Sequence, residues 1–235
     1  MDESLVEDAH RVKVRYEYKF DDGSGVEFQV DADLMSSVQE EYSDHRYEWA
    51  ELEFQKCDHC PLSSTEHKYC PAALSLTDIV EYFGTHPHHQ QARCTVHVPG
   101  RTIRVTKGIQ EAVAALIGLR LASSKCPILS QLKPMARFHE PFSYPYYTVY
   151  RATSMYLLGQ FFNKRKGETP DWDLDKLTEL YDAIGLVNMN ISERLKAAKQ
   201  LQNSPVSLMI FSVYSLSMTL LFEEHIEVLQ GLFES

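Results

Sequence analysis

The sequence predicts an α+β protein, with an amino-terminal antiparallel sheet that carries a cysteine-rich metal insertion and a carboxy-terminal helical bundle. Three observations carry this expectation. Apolar and polar residues alternate strictly in several stretches before residue 105, and a helical period replaces the alternation from about Thr106 onward. Between the strands, CDHCPLSSTEHKYCP crowds three thiols and two imidazoles into Cys57 to Pro71.

Taken in order, VKVRYEYKF sets Val12, Val14, Tyr16, Tyr18 and Phe20 on one face and Lys13, Arg15, Glu17 and Lys19 on the other. DDGSG supplies turn chemistry, and VEFQV resumes the alternation with Val26, Phe28 and Val30, which makes a hairpin. WAELEFQ reads as a third strand with Ala50, Leu52 and Phe54 together, running into Cys57. RCTVHV and RTIRV flank Pro99-Gly100 as a second hairpin, in which Cys94 shares a face with Val96 and Val98 and reads as a core thiol.

Helices follow: KGIQEAVAALIGLRLASS, then Tyr144 to Lys164, then one starting near Thr169-Pro170-Asp171, where proline suits the first position. The third carries a heptad-like seam of Leu174, Leu177, Tyr181, Ile184, Asn188, Ile191, Leu195 and Ala198. Asn188 either fixes register or lies near the rim of a core stripe, and Gly185 costs helix propensity. A last helix is expected from Pro205 to Phe233. The implied organisation is a sheet region over 1–105 with the insertion at 57–84, and a helical region over 106–235, packed as one unit.

Lys and Arg total 23 against 33 Asp and Glu, a net charge of −10, so a phosphate backbone would be repelled and no nucleic-acid partner is expected. RVKVR reads as a strand's solvent face and NKRKG as the basic last turn of a helix. MDESLVEDAH has no apolar run, which points to a cytosolic, reducing setting, and an odd count of five cysteines argues against a disulfide framework. From Gln200 to Phe222 no residue is charged, long enough for a membrane span. Its serines and threonine dilute it, and a helix buried in a bundle or at a subunit interface is the preferred reading.

Cys57-x-x-Cys60 is a spacing at which two sulfurs from one turn reach one ion, and Cys70 follows across a polar loop. Cys126 is the first choice for a fourth ligand, with His59 or His67 as alternatives. Cys60, Cys70 and Cys126 each precede proline. Cys70 and Cys126 fall where helices begin, among unpaired N–H groups that favour thiolate. Zinc is the leading cofactor expectation, and a closed four-sulfur site would be structural. An iron–sulfur cluster and unligated thiols are the alternatives. THPHHQ, with His86, His88 and His89, reads as a solvated loop with a weaker metal alternative.

PMARFHEPF brings Arg137, His139 and Glu140 to the mouth of a helix, YPYYTVYRATSMYLLGQFF, which is apolar nearly all round, is expected at the centre of the bundle and contains Arg151. A buried guanidinium needs an acceptor. Arg137 and Arg151, to hold an anion, and His139, to exchange protons near neutral pH, are therefore the candidates for an anion-binding acid–base pocket, against a salt-bridged core as the plainer reading. No nucleophile elbow, phosphate-binding glycine loop, dinucleotide fingerprint or HExxH is present.

The combination of CDHCPL, YCPAALSLTDIVEYF, KCPILSQLKPMARFHEPF, YRATSMYLLGQFF and PDWDL resembles an uncharacterised bacterial protein family, a domain of unknown function. The likeness extends over most of the chain, and PMARFH and the three Cys-Pro pairs are its most specific parts. It implies that Cys57, Cys60, Cys70 and Cys126 belong together. Lys125 and Glu140 stand where that pattern has glycine and leucine, so the resemblance assigns Glu140 no role. It names no activity. The leading functional expectation is a zinc-stabilised binding or self-associating module, possible as a homo-oligomer through its carboxy-terminal helices. An enzyme built on the Arg137, His139 and Arg151 pocket and an iron–sulfur redox or sensor protein are the rivals.

Overall fold

The computed structural model describes residues 12–32, 47–84, 86, 90–198 and 225–234. Two antiparallel hairpins meet edge to edge. Strands β1 (Lys13–Lys19) and β2 (Gly25–Asp31) form one, β3 (Gln91–Val98) and β4 (Arg101–Gly108) the other, and the sheet order is β2-β1-β3-β4. Gly23 and Gly100 take positive φ, 86° and 78°, where the two turns require a left-handed residue. The alternation read from the sequence holds: Val14, Tyr16, Tyr18 and Phe20 are buried, while Arg15 and Glu17 pair across the outer face. Burying each such aromatic contributes about 2–3 kcal/mol before conformational entropy is charged against it.

Helices cover the inner face. After a 3-10 turn at Glu48–Ala50 come α1 (Pro71–Leu74) and α2 (Thr77–Phe83), then α3 (Ile109–Ala122), a 3-10 turn at Leu129–Leu132, α4 (Lys133–Arg137), α5 (Pro145–Arg165) and α6 (Asp175–Ala197). Phe83 of α2 stacks against Phe28 and meets Tyr18 edge-on, and the Tyr18 hydroxyl donates to the Ala112 carbonyl of α3 at 3.0 Å. Arg120 of α3 pairs with Asp78 of α2 at 2.7 Å. Sheet residues and Ile184, Val187, Ile191 and Leu195 of α6 belong to one continuous apolar cluster.

Several sequence expectations are corrected. WAELEFQ is not a strand: Trp49 and Ala50 are both buried, which breaks the two-residue period, and only Glu51 bridges, to Tyr69. The helix expected after Cys70 is interrupted between α1 and α2 at Ser75 and Leu76. The helix expected at Pro170 begins at Asp175, because Asp171 turns its carboxylate back to accept the Lys176 N–H at 2.9 Å. On α5 only Val149, Ala152 and Gln160 are buried, whereas Tyr147, Tyr150, Leu158, Phe161 and Phe162 are exposed, so among the described residues it is not central. Asn188 is 2 % exposed, in the core stripe rather than at its rim. The uncharged stretch 200–222, most of the expected last helix, and His88 and His89 lie outside the described residues. Among the described residues no helix is long and apolar enough to cross a membrane.

Candidate functional site

Residues 49–57 form a strap that carries the first cysteine pair. Its backbone is held from two sides. The Leu52 N–H donates to the Lys68 carbonyl and the Cys70 N–H to the Ala50 carbonyl, both at 2.8 Å, so the strap and the loop before α1 run together. From the other side comes Arg194 of α6, 1 % exposed, whose guanidinium donates to the carbonyls of Trp49, Glu51, Leu52 and Gln55 at 2.7, 2.5, 3.3 and 3.4 Å. Gln55 adopts φ 49°, a left-handed turn that helps aim these carbonyls inward.

The CxxC turn follows, closed by the Cys60 N–H donating to the Cys57 carbonyl at 3.0 Å. His59 rests on α6, its Nε2 3.2 Å from the Ala183 carbonyl, and His67 is solvent-exposed. Cys70 caps α1 with Pro71 at its first position. Helix α1 is only four residues long, so a helix dipole there is slight and the local N–H groups carry the effect. Cys126 begins the turn after α3, and the backbone N–H groups of Leu129 and Ile128 donate towards its sulfur, partly offsetting the upward push of burial on that thiol.

The four cysteines sense one another. Burial, and after it negative charge on Cys70, Cys60 and Cys126, together push the Cys57 thiol up to about 12. Cys126 responds in the same way to Cys70 and Cys60. Among the described residues no group of three or more His, Cys, Asp or Glu side chains is gathered closely enough to hold a metal ion as it stands. The thiols thus share a neighbourhood without meeting at a point.

Arg194 completes this neighbourhood. Burial lowers its pKa, and the influences opposing that are the thiols of Cys70, Cys57 and Cys60. Among the described residues it pairs with no carboxylate, and its Nε–H has no hydrogen-bond partner. A buried guanidinium without a counter-ion costs several kcal/mol. Here the groups able to become that counter-ion are sulfurs. The sequence reading missed Arg194, although Val187, Ile191, Arg194 and Ala198 repeat at helical spacing and place an arginine in an apolar stripe.

A cavity of about 780 Å³ lies beside α3, the 132–148 segment and the middle of α6. His139 and Arg151 both line it, and Arg137, in the last turn of α4, does not. Arg151 finds its acceptors in backbone, the Met135 carbonyl at 3.2 Å and that of Phe138 at 2.6 Å. Glu140 pairs with Arg101 of β4. The Tyr16 hydroxyl lies 2.5 Å from His139 Nε2. Burial, then the nearby Arg151 and Arg101, hold the His139 imidazole down at about 3, so the near-neutral proton exchange expected of it does not follow. Cys94 sits in the sheet core, its thiol pushed up to about 12 by burial. His86, expected in a solvated loop, packs against Phe20, Tyr82 and Phe83.

The family model for a domain of unknown function (DUF6901) matches residues 14–234. The chain belongs to this family. The match spans nearly all of the sheet, the strap, Cys57, Cys60, Cys70 and Cys126, and the cavity. Neither a curated protein nor a solved structure matches the chain.

Proposed function

We propose that the protein is a metal-stabilised binding module, in which Cys57, Cys60, Cys70 and Cys126 hold one Zn²⁺ that ties the strap, the start of α1 and the turn after α3 together. The observation that carries this reading is the charge balance at Arg194, a guanidinium 1 % exposed that among the described residues lacks a carboxylate and lies within electrostatic reach of the thiols of Cys70, Cys57 and Cys60. Four thiolates around Zn²⁺ leave a net negative cluster, which supplies the missing counter-charge. The donor set is soft and complete, as a closed structural zinc site requires. His59 and His67 are less suited as ligands, one resting on a backbone carbonyl and the other facing solvent. A four-thiolate iron–sulfur cluster satisfies the same charge argument and is separated by colour.

Elemental analysis of protein purified without added metal is expected to give about one zinc per chain. Cys57→Ser, Cys70→Ser and Cys126→Ser each lose it, while Cys94→Ser keeps it. Zinc retained by Cys126→Ser, or none in the parent protein, overturns the site, and brown protein absorbing near 400 nm assigns the cluster instead.

Binding by self-association uses the apolar face of α5, where Tyr147, Tyr150, Leu158, Phe161 and Phe162 are exposed. Monomers rarely leave such a patch uncovered. Light scattering coupled to gel filtration is expected to show a dimer that Leu158→Glu with Phe162→Glu converts to monomer. An acid–base enzyme is a weaker reading, because Arg137 is absent from the cavity lining and His139 is held neutral. Cytosolic residence fits four reduced thiols and forms part of this proposal.

A further inference from the structure

We propose that the cavity beside α6 is a binding site for an uncharged, mainly hydrocarbon small molecule bearing one hydrogen-bond donor, such as a hydroxyl or amide N–H, which meets Asn188 Oδ1. The volume of about 780 Å³ lies in the range of small-molecule sites. Its walls are cut back on two sides. On α3 the lining residues include Ala114, Ala115, Gly118 and Ala122, and on α6 Gly185 lines it where a Cβ would meet nothing within 4 Å. Glycine in mid-helix is unfavourable. No close approach demands it here, so open space is what it provides.

A lining of small residues alone would be mere looseness. Asn188 is the independent sign of a ligand. It lines the cavity, is 2 % exposed, and its Oδ1 has no hydrogen-bond partner. A buried unsatisfied amide oxygen costs about 1–3 kcal/mol, which a donor brought by the ligand would recover.

The charges around the cavity argue for a neutral occupant. Glu111 is paired with Lys107 at 2.7 Å and Glu140 with Arg101, Asp182 is engaged as well, and Arg151 is held by the Met135 and Phe138 carbonyls. His139 is neutral as well. The buried Tyr16 hydroxyl beside Nε2, whose pKa burial raises well above the usual range, keeps its proton, so this pair adds no charge to the cavity. A cation would have to break the Glu111 or Glu140 pair and an anion would compete with the carbonyls that hold Arg151, whereas an apolar ligand with a single donor disturbs neither.

The test uses the full chain and N-phenyl-1-naphthylamine, an uncharged fluorophore with one N–H, beside its N-methyl analogue, which lacks that donor. The expected result is saturable one-to-one binding of the parent probe, about tenfold tighter than the analogue. Asn188→Leu binds both probes alike and unfolds at higher temperature, because the unsatisfied amide is gone. Gly185→Phe and, should that variant unfold, Gly185→Leu abolish binding of both while circular dichroism stays unchanged. Absence of saturable binding, parental affinity in a folded Gly185 variant, or a probe preference that survives in Asn188→Leu would each overturn the proposal.

Discussion

Among the described residues, Arg194 joins α6 to the strap through backbone acceptors. Its planar fork reaches carbonyls of Trp49, Glu51, Leu52 and Gln55, which a lysine ammonium on a flexible stem does not match. Arg194→Lys is therefore expected to be destabilising, and Arg194→Met more so, read in urea denaturation, because the strap's carbonyls lose their donor at about 1–3 kcal/mol for a buried group left unsatisfied. His139 behaves in the opposite sense to a sensor. Its folded-state pKa, about 3, lies below the unfolded value near 6.5, so the unfolded chain binds the proton first. Stability is full above about pH 6.5 and falls with acidification towards pH 3, with a slope of up to about 1.4 kcal/mol per pH unit. Denaturation at stepped pH should show that slope in the parent and lose it in His139→Gln.

Helix α6 is the element that serves every part of the structure. Leu177, Ile184, Ile191 and Leu195 face the core, Asn188 and Gly185 face the cavity, Arg194 holds the strap, and the Ala183 carbonyl meets His59. The seam read from the sequence is real as a stripe: Ile184, Val187, Ile191 and Leu195 join the apolar core cluster, and Arg194 beside them bonds to the strap. Because a Cβ at Gly185 has nothing within 4 Å, Gly185→Ala should stabilise α6 by about 1 kcal/mol, read as a raised denaturation midpoint without loss of structure. Helix α5 differs. Its sequence is apolar on nearly all sides, yet Tyr147, Leu158 and Phe162 remain exposed among the described residues. Hydrophobicity alone does not say which neighbour covers a helix, and so its burial was misjudged from the sequence.

For the molecule as a whole, metal removal is the decisive perturbation under the zinc proposal. Zinc must displace thiol protons that burial holds tightly, Cys57 up to about 12, so apparent affinity rises with pH. A chelator should lower the melting temperature of the loaded protein, and should strip it more readily at pH 6 than at pH 8. Cys94→Ser leaves that pH dependence intact, since its thiol lies in the sheet core with Tyr18.

The sequence by itself determined the two hairpins and the faces of their strands, because a two-residue period is local and each turn announces itself at Asp22-Gly23 and Pro99-Gly100. It also marked Cys70 as a cap and Cys94 as core, from a following proline and a strand face. Local patterns could not tell that Trp49 would turn inward and dissolve the third strand, or that Arg194 would claim four carbonyls more than 138 residues before it. They could not separate His139 and Arg151 from Arg137 either, or join Asn188 to a cavity whose walls come from α3, α5 and α6. Those outcomes depend on which groups lose water together, and that is settled only when distant segments pack.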